Sequence, residues 1–148
     1  MTKKLKVLFL CTGNSCRSQM AEGWADHLKS DVIDAFSAGT MPTRISRRTI
    51  AVMKEVGVDI SDNYSKPIDD VIGIEFDYVV TLCDNARESC PIFPSKAKVL
   101  HVGFEDPHVL EQDAKTEEGA MTHYRRVRDE IKKFVKQLPE FLEKNQNE

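Results

Sequence analysis

The chain has 148 residues, 41% of them apolar, a length and composition that can build one hydrophobic core without covalent staples. A net charge of -3 gives no general attraction for nucleic acid or an anionic membrane, so any anion site has to be local. The apolar run near the N-terminus is too short for a membrane span and lacks the small-residue cleavage site of a signal peptide, so the expectation is a cytoplasmic chain.

Leu5 to Leu10 reads as a buried strand, and Cys11-Thr12-Gly13-Asn14-Ser15-Cys16-Arg17-Ser18 follows it directly. Gly13 and Asn14 are the residue types that most easily take positive φ. A loop containing them can curl the N–H groups of Thr12, Gly13, Asn14, Ser15, Cys16 and Arg17 into an anion-binding nest. A helix starting behind the loop adds its first N–H groups and its dipole, and Arg17 offers a planar fork to two oxygens of a tetrahedral anion. A thiol in such a field ionises easily, which makes Cys11 the candidate nucleophile. The competing reading is a core cysteine that merely continues the strand. Gly, Asn, Ser, Arg and Ser in that order favour the nucleophile, while Cys16 reads mainly as a packing residue.

Further along, Met20, Trp24 and Leu28 recur at helical spacing, Val32 to Phe36 reads as a second strand, and Ile45, Thr49, Val52 and Val56 mark a second helix with Gly57 behind it. Asn63-Tyr64-Ser65 has the pattern of a glycosylation site, which is irrelevant in a cytoplasmic chain. Tyr78 to Leu82 is the third strand, followed by Cys83 and Cys90. Seven residues of helix rise by about 10.5 Å, beyond disulfide reach, so a Cys83–Cys90 bond requires the segment between them to unwind. Such a bond would be strained, exposed and easily reduced. The alternative makes Cys83 a core residue and Cys90 an incidental thiol. Neither Cys11-x4-Cys16 nor Cys83-x6-Cys90 has zinc spacing, and a reducing compartment disfavours structural disulfides; neither a metal nor a cofactor is expected.

Lys98 to Val102 is the fourth strand, and Asp106-Pro107 lies just past it. Alone, that carboxylate is turn or cap chemistry; facing an anion loop, it is a general acid. His108 reads as a solvated or packing residue. Tyr124, Val127, Ile131, Phe134, Val135, Leu138 and Leu142 form one long amphipathic helix that tolerates or kinks at Pro139.

Strand and helix alternation predicts a single α/β domain over residues 1–148, a four-stranded parallel sheet flanked by helices on both faces, and the order 2-1-3-4 would make the first and third strands neighbours. Sites in such sheets lie outside the carboxyl ends of the strands, where the strand order reverses. Cys11, Cys83 and Asp106 follow three of those ends and are expected to meet in one crevice. Neighbouring strands lie about 4.8 Å apart, which brings cysteines at the first and third ends close to disulfide range.

The anion loop, the Cys83 and Cys90 pair and Asp106-Pro107, in this order and spacing, closely resemble the thioredoxin-coupled arsenate reductases, which share the fold of the low-molecular-weight tyrosine phosphatases. The loop alone points to the superfamily; the added cysteines point to the reductase branch. The resemblance implies that the Cys11 thiolate attacks arsenate held by the loop and Arg17, with Ser18 hydrogen-bonding the thiolate and Asp106 protonating the departing oxygen. Cys83 would then attack Cys11 and release arsenite, and Cys90 would export the oxidation as a Cys83–Cys90 disulfide for thioredoxin. A monomer is expected, with neither nucleic acid nor membrane as partner.

Two departures stand out. His108 and Val109 follow Asp-Pro where the phosphatases carry paired aromatics, which weakens the case for an aryl phosphate. Asn14, Glu22 and Ser37 match the potassium site of some reductases, but Lys66 stands where those have an acidic residue, so its ammonium can substitute for the ion. Two other functions use the same residues. One is a tyrosine phosphatase working with the same loop; the other is a non-catalytic arsenite-binding or redox-sensing protein with cysteines as soft ligands, which would not need an arginine-bearing anion loop.

Overall fold

In the first strand, β1 (Leu5–Cys11), side chains alternate between the two faces, so Val7 and Phe9 point one way and Leu8 and Leu10 the other. All four are fully buried, which means that the strand needs cover on both sides. The computed structural model, which describes residues 4–83 and 96–145, supplies it. β2 (Ile33–Gly39) and β3 (Tyr78–Thr81) flank β1, and β4 (Lys98–His101) lies outside β3. All pairings are parallel, in the expected order β2-β1-β3-β4.

The helices among the described residues are α1 (Arg17–Leu28), α2 (Arg47–Glu55), α3 (Pro107–Leu110), α4 (Glu117–Lys136) and α5 (Glu140–Asn145), with 3-10 turns at Ile68–Asp70 and Glu111–Asp113. On the Val7 and Phe9 side, Met20 and Trp24 of α1, Met53 of α2 and Tyr124, Ile131 and Val135 of α4 complete the larger core. Trp24 Nε1 donates to the Arg128 carbonyl at 3.1 Å, so this buried indole keeps a polar partner. On the other side Leu8 and Leu10 meet Val71, Phe76 and Val79, with the 3-10 turn at Ile68–Asp70 packed alongside. No helix among the described residues is long and apolar enough to cross a membrane.

Two boundaries differ from the sequence reading. β2 runs on to Gly39, past the point where apolar character falls at Ser37, because that buried hydroxyl donates to Glu22 Oε1 at 2.7 Å. The C-terminal helix is not continuous: α4 ends at Lys136 and α5 begins at Glu140, since Pro139 has no N–H to give and restricts the residue before it. Its apolar stripe nevertheless continues across the break, with Leu138 and Leu142 fully buried. Gly57 does end α2 in a left-handed conformation, φ 83°.

Ile131 is fully buried and Ile72 is 47% exposed. Ile131→Ala should cost about 2–5 kcal/mol in urea unfolding, through lost transfer energy and a residual cavity. Ile72→Ala should stay within about 0.5 kcal/mol of the parent. Equal losses at the two positions would contradict the two-sided core.

Candidate active site

The loop between β1 and α1 is held from outside. Met41 N–H donates to the Thr12 carbonyl at 2.9 Å, Thr43 N–H to Gly13 at 3.0 Å and Ser46 N–H to Ser15 at 3.1 Å, while Ser65 Oγ donates to the Asn14 carbonyl at 2.8 Å. In a planar trans peptide the N–H points away from its C=O, so four outward carbonyls turn their partner N–H groups to the opposite side. There, Cys11, Thr12, Gly13, Ser15, Cys16 and Arg17 line a cavity of about 600 Å³, closed by Thr40, Met41, Thr43, Asp106 and His108. The helix starts reinforce this arrangement. α2 and α4 are capped by the hydroxyls of Ser46 and Thr116, whereas the N-cap of α1 is Cys16, which makes no side-chain cap bond.

Asn14 sits fully buried at φ 50°, a conformation that asparagine tolerates better than most residues. Its Oδ1 accepts from the Lys66 backbone N–H at 2.8 Å and from Gln19 Nε2 at 3.0 Å, which settles which end of the amide is oxygen. Nδ2 is thereby aimed at Ser18 Oγ, 2.7 Å away. Ser18 Oγ lies 3.0 Å from Cys11 Sγ and donates to it when Cys11 is a thiolate, which can only accept.

Arg17, also buried, spans three segments. Its Nη1 donates to the Phe104 carbonyl at 3.1 Å and the Leu82 carbonyl at 3.4 Å, and Nη2 lies 3.4 Å from Asp106 Oδ2. Asp106 is both a cap and a cavity residue: its Oδ1 accepts the His108 N–H at 3.0 Å at the start of α3. The His108 side chain is 39% exposed and packs edge-on against Tyr124. It lines the cavity, with Nε2 at 3.0 Å from Ser15 Oγ.

Residues 6–148 match the family of low molecular weight phosphotyrosine protein phosphatases. The chain belongs to that family. Within it, the chain is similar to the arsenate reductase of Halalkalibacterium halodurans, 45% identical over 140 residues that cover 95% of this chain and 98% of the relative. A solved structure described as an arsenate reductase in the phosphate binding state is 34% identical with a TM-score of 0.72, over 90% of this chain and 95% of that one. The thioredoxin-dependent arsenate reductase of Corynebacterium glutamicum is 27% identical with a TM-score of 0.67, over 96% of this chain and 63% of that one.

Cys11 and Asp106, which follow the ends of β1 and β4, line one cavity. The β1–β3 ladder runs one bond beyond the paired strands, with Leu82 N–H donating to the Leu10 carbonyl at 2.8 Å. Cys83 follows in a fully buried position and is not among the cavity-lining residues. Gly103 lies so close that a Cβ there would come within 3.1 Å of the Cys83 carbonyl. Cys83 is disulfide-bonded, whereas Cys11 and Cys16 are free thiols. Cys90 lies outside the described residues. Burial pushes the pKa of Cys16 far up, so it stays protonated and packs, as the sequence suggested.

Lys66 stands close enough to Glu22 to act on it as a charge. Burial raises the Glu22 pKa, while the bond from Ser37 and the Lys66 ammonium pull it back down. Sequence reasoning missed Gln19, Ser65 and Gly39, each of which supports the loop from a distance. Gly39, at the end of β2 and paired with Cys11, had a readable signal as a glycine closing an apolar strand.

A Cβ on Gly39 would lie 2.5 Å from the Thr12 carbonyl and 2.8 Å from the Asn14 nitrogen, and neither backbone atom can step aside. Gly39→Ala should therefore weaken inorganic phosphate binding at least tenfold by calorimetry, whereas Gly73→Ala, with nothing within 4 Å, should leave it unchanged. Equal affinities in both variants would dissociate β2 from the loop.

A raised carboxylate pKa makes Glu22 unfavourable to stability as pH climbs from its ordinary value through the raised one, and Lys66 offsets that loss. Urea unfolding from about pH 4 to 8 should show Lys66→Met falling progressively below the parent as Glu22 ionises. In a Glu22→Gln background the same substitution should have a pH-independent effect. A gap that widens equally in both backgrounds would remove the coupling.

Proposed function

We propose that the chain is a cytoplasmic arsenate reductase that runs a three-cysteine thiol–disulfide relay regenerated by thioredoxin. The observation that carries this reading is Ser18 Oγ 3.0 Å from Cys11 Sγ, inside a loop whose Thr12, Gly13, Asn14 and Ser15 carbonyls are bonded by the surrounding chain. An arsenate dianion fits such a cradle, with the loop N–H groups, the start of α1 and Arg17 as its donors.

The Cys11 thiolate attacks arsenic, and Asp106 gives a proton to the departing oxygen, which leaves as water. Cys83, as a thiolate, then attacks Cys11 Sγ. The sulfur–arsenic electron pair stays on arsenic, so As(V) becomes As(III) and leaves as arsenite after taking up protons, while the two sulfurs are oxidised to a Cys11–Cys83 disulfide. Cys90 next attacks Cys83, frees the Cys11 thiolate and leaves a Cys83–Cys90 disulfide that a thioredoxin dithiol reduces. A free Cys11 with a disulfide-bonded Cys83 is the state that the relay leaves once Cys90 has attacked Cys83, and this is consistent with the order of steps. The thioredoxin dependence of the Corynebacterium glutamicum relative supports the choice of reductant. Hydrolysis of a phosphate monoester needs only Cys11, the loop and Asp106, so weak phosphatase activity belongs to the same site.

A coupled assay with thioredoxin, thioredoxin reductase, NADPH and arsenate tests the relay. Cys11→Ser should lose reduction and phosphate ester hydrolysis together. Cys83→Ser should lose reduction alone. Cys90→Ser should complete one turnover and trap Cys11–Cys83, and Asp106→Asn should lower kcat by about 10²–10⁴. Full multiple-turnover reduction by Cys83→Ser would contradict the relay, and wild-type kcat in Asp106→Asn would remove the acid.

A further inference from the structure

His108 belongs to no step of that mechanism, yet it is tied in at both ring nitrogens. Nε2 meets Ser15 Oγ at 3.0 Å across 93 residues of sequence. Nδ1 lies 3.2 Å from the Tyr124 hydroxyl and 3.3 Å from Glu111 Oε1, and Glu111 is itself ion-paired with Arg48 of α2. A carboxylate only accepts, so Nδ1 carries a proton. The Ser15 hydroxyl can both donate and accept, so its bond to Nε2 survives either protonation state of the ring. Burial raises the Tyr124 pKa and keeps its phenol protonated, which holds that side of the ring in place.

The residue carrying this side chain starts a helix only four residues long, too short to hold its own place, and Asp106 is the cap of that helix. The position of the carboxylate relative to Cys11 therefore depends on what fastens α3 to the loop. We propose that His108 is a positioning residue: a latch that joins Ser15 of the nucleophile loop to the turn bearing Asp106, and so sets the acid at its working distance from the nucleophile. The proposal rests on the acid role given to Asp106 above. Substitution at 108 leaves the cap intact, because Asp106 accepts from the backbone N–H of that residue.

The test is the rate of arsenite formation in a single turnover of the reduced protein, beside the dissociation constant for inorganic phosphate. His108→Ala should slow the turnover by about 10- to 100-fold, as a misplaced catalytic group does, while phosphate affinity stays within about twofold. Ser15→Ala should slow it comparably, and the double variant should be no slower than either single. His108→Gln, whose amide reaches Ser15 from the same place, should recover most of the rate. In an Asp106→Asn background His108→Ala should cost nothing further, because the latch acts through the acid. A full rate in His108→Ala, an undiminished cost in the Asp106→Asn background, or a His108→Gln rate as low as that of alanine would each overturn the latch. If Asp106→Asn itself reduces arsenate at the parent rate, the acid assignment fails first and the latch fails with it.

Discussion

Four peptide oxygens in a row, those of Thr12, Gly13, Asn14 and Ser15, bond away from the cavity, and the rest of the site depends on that one constraint. A buried carbonyl without a partner costs about 1–3 kcal/mol, so a loop this tight can face its N–H groups inward only if the surrounding chain supplies a donor for every oxygen. The donors come from Met41, Thr43, Ser46 and Ser65, all beyond the end of β2. That requirement explains why β2 neighbours β1, why Gly39 pairs with Cys11, and why no side chain fits at Gly39. The sheet order is thus part of the chemistry as well as of the packing.

The same economy orders the side chains around the nucleophile. Lys66 and Gln19 fix Asn14, Asn14 fixes Ser18, and Ser18 holds its hydroxyl against Cys11 Sγ, to which it donates once that sulfur is a thiolate. Every link is a hydrogen bond between buried or half-buried groups, where an unmade bond is expensive, so the chain tolerates few alternative arrangements. Arg17 does comparable work on the other side by reaching the ends of β3 and the Asp106 segment at once.

What the sequence made legible is what lies close together in the chain. β1, the anion loop and the start of α1 are contiguous, so residue type and order alone pointed to a nucleophile beneath an anion nest, and periodicity located the four strands. Groups contributed from afar were not legible. Ser65 and His108 reach the loop across 51 and 93 residues, and a lone serine or histidine carries no pattern by which to foresee it. The split between α4 and α5 was hidden for a different reason: the buried stripe runs on through Leu138 and Leu142, so hydrophobicity continues where hydrogen bonding cannot.

The central claim is that the outward carbonyls leave a cradle of inward N–H groups over Cys11. Titrating the reduced, 15N-labelled protein with inorganic phosphate and following backbone amides by NMR tests it most directly. The account predicts large, saturable downfield shifts for the amide protons of Gly13, Asn14, Ser15 and Cys16, with one common dissociation constant, and small shifts elsewhere. Saturation with those four amides unmoved, or shifts concentrated away from the loop, would contradict it.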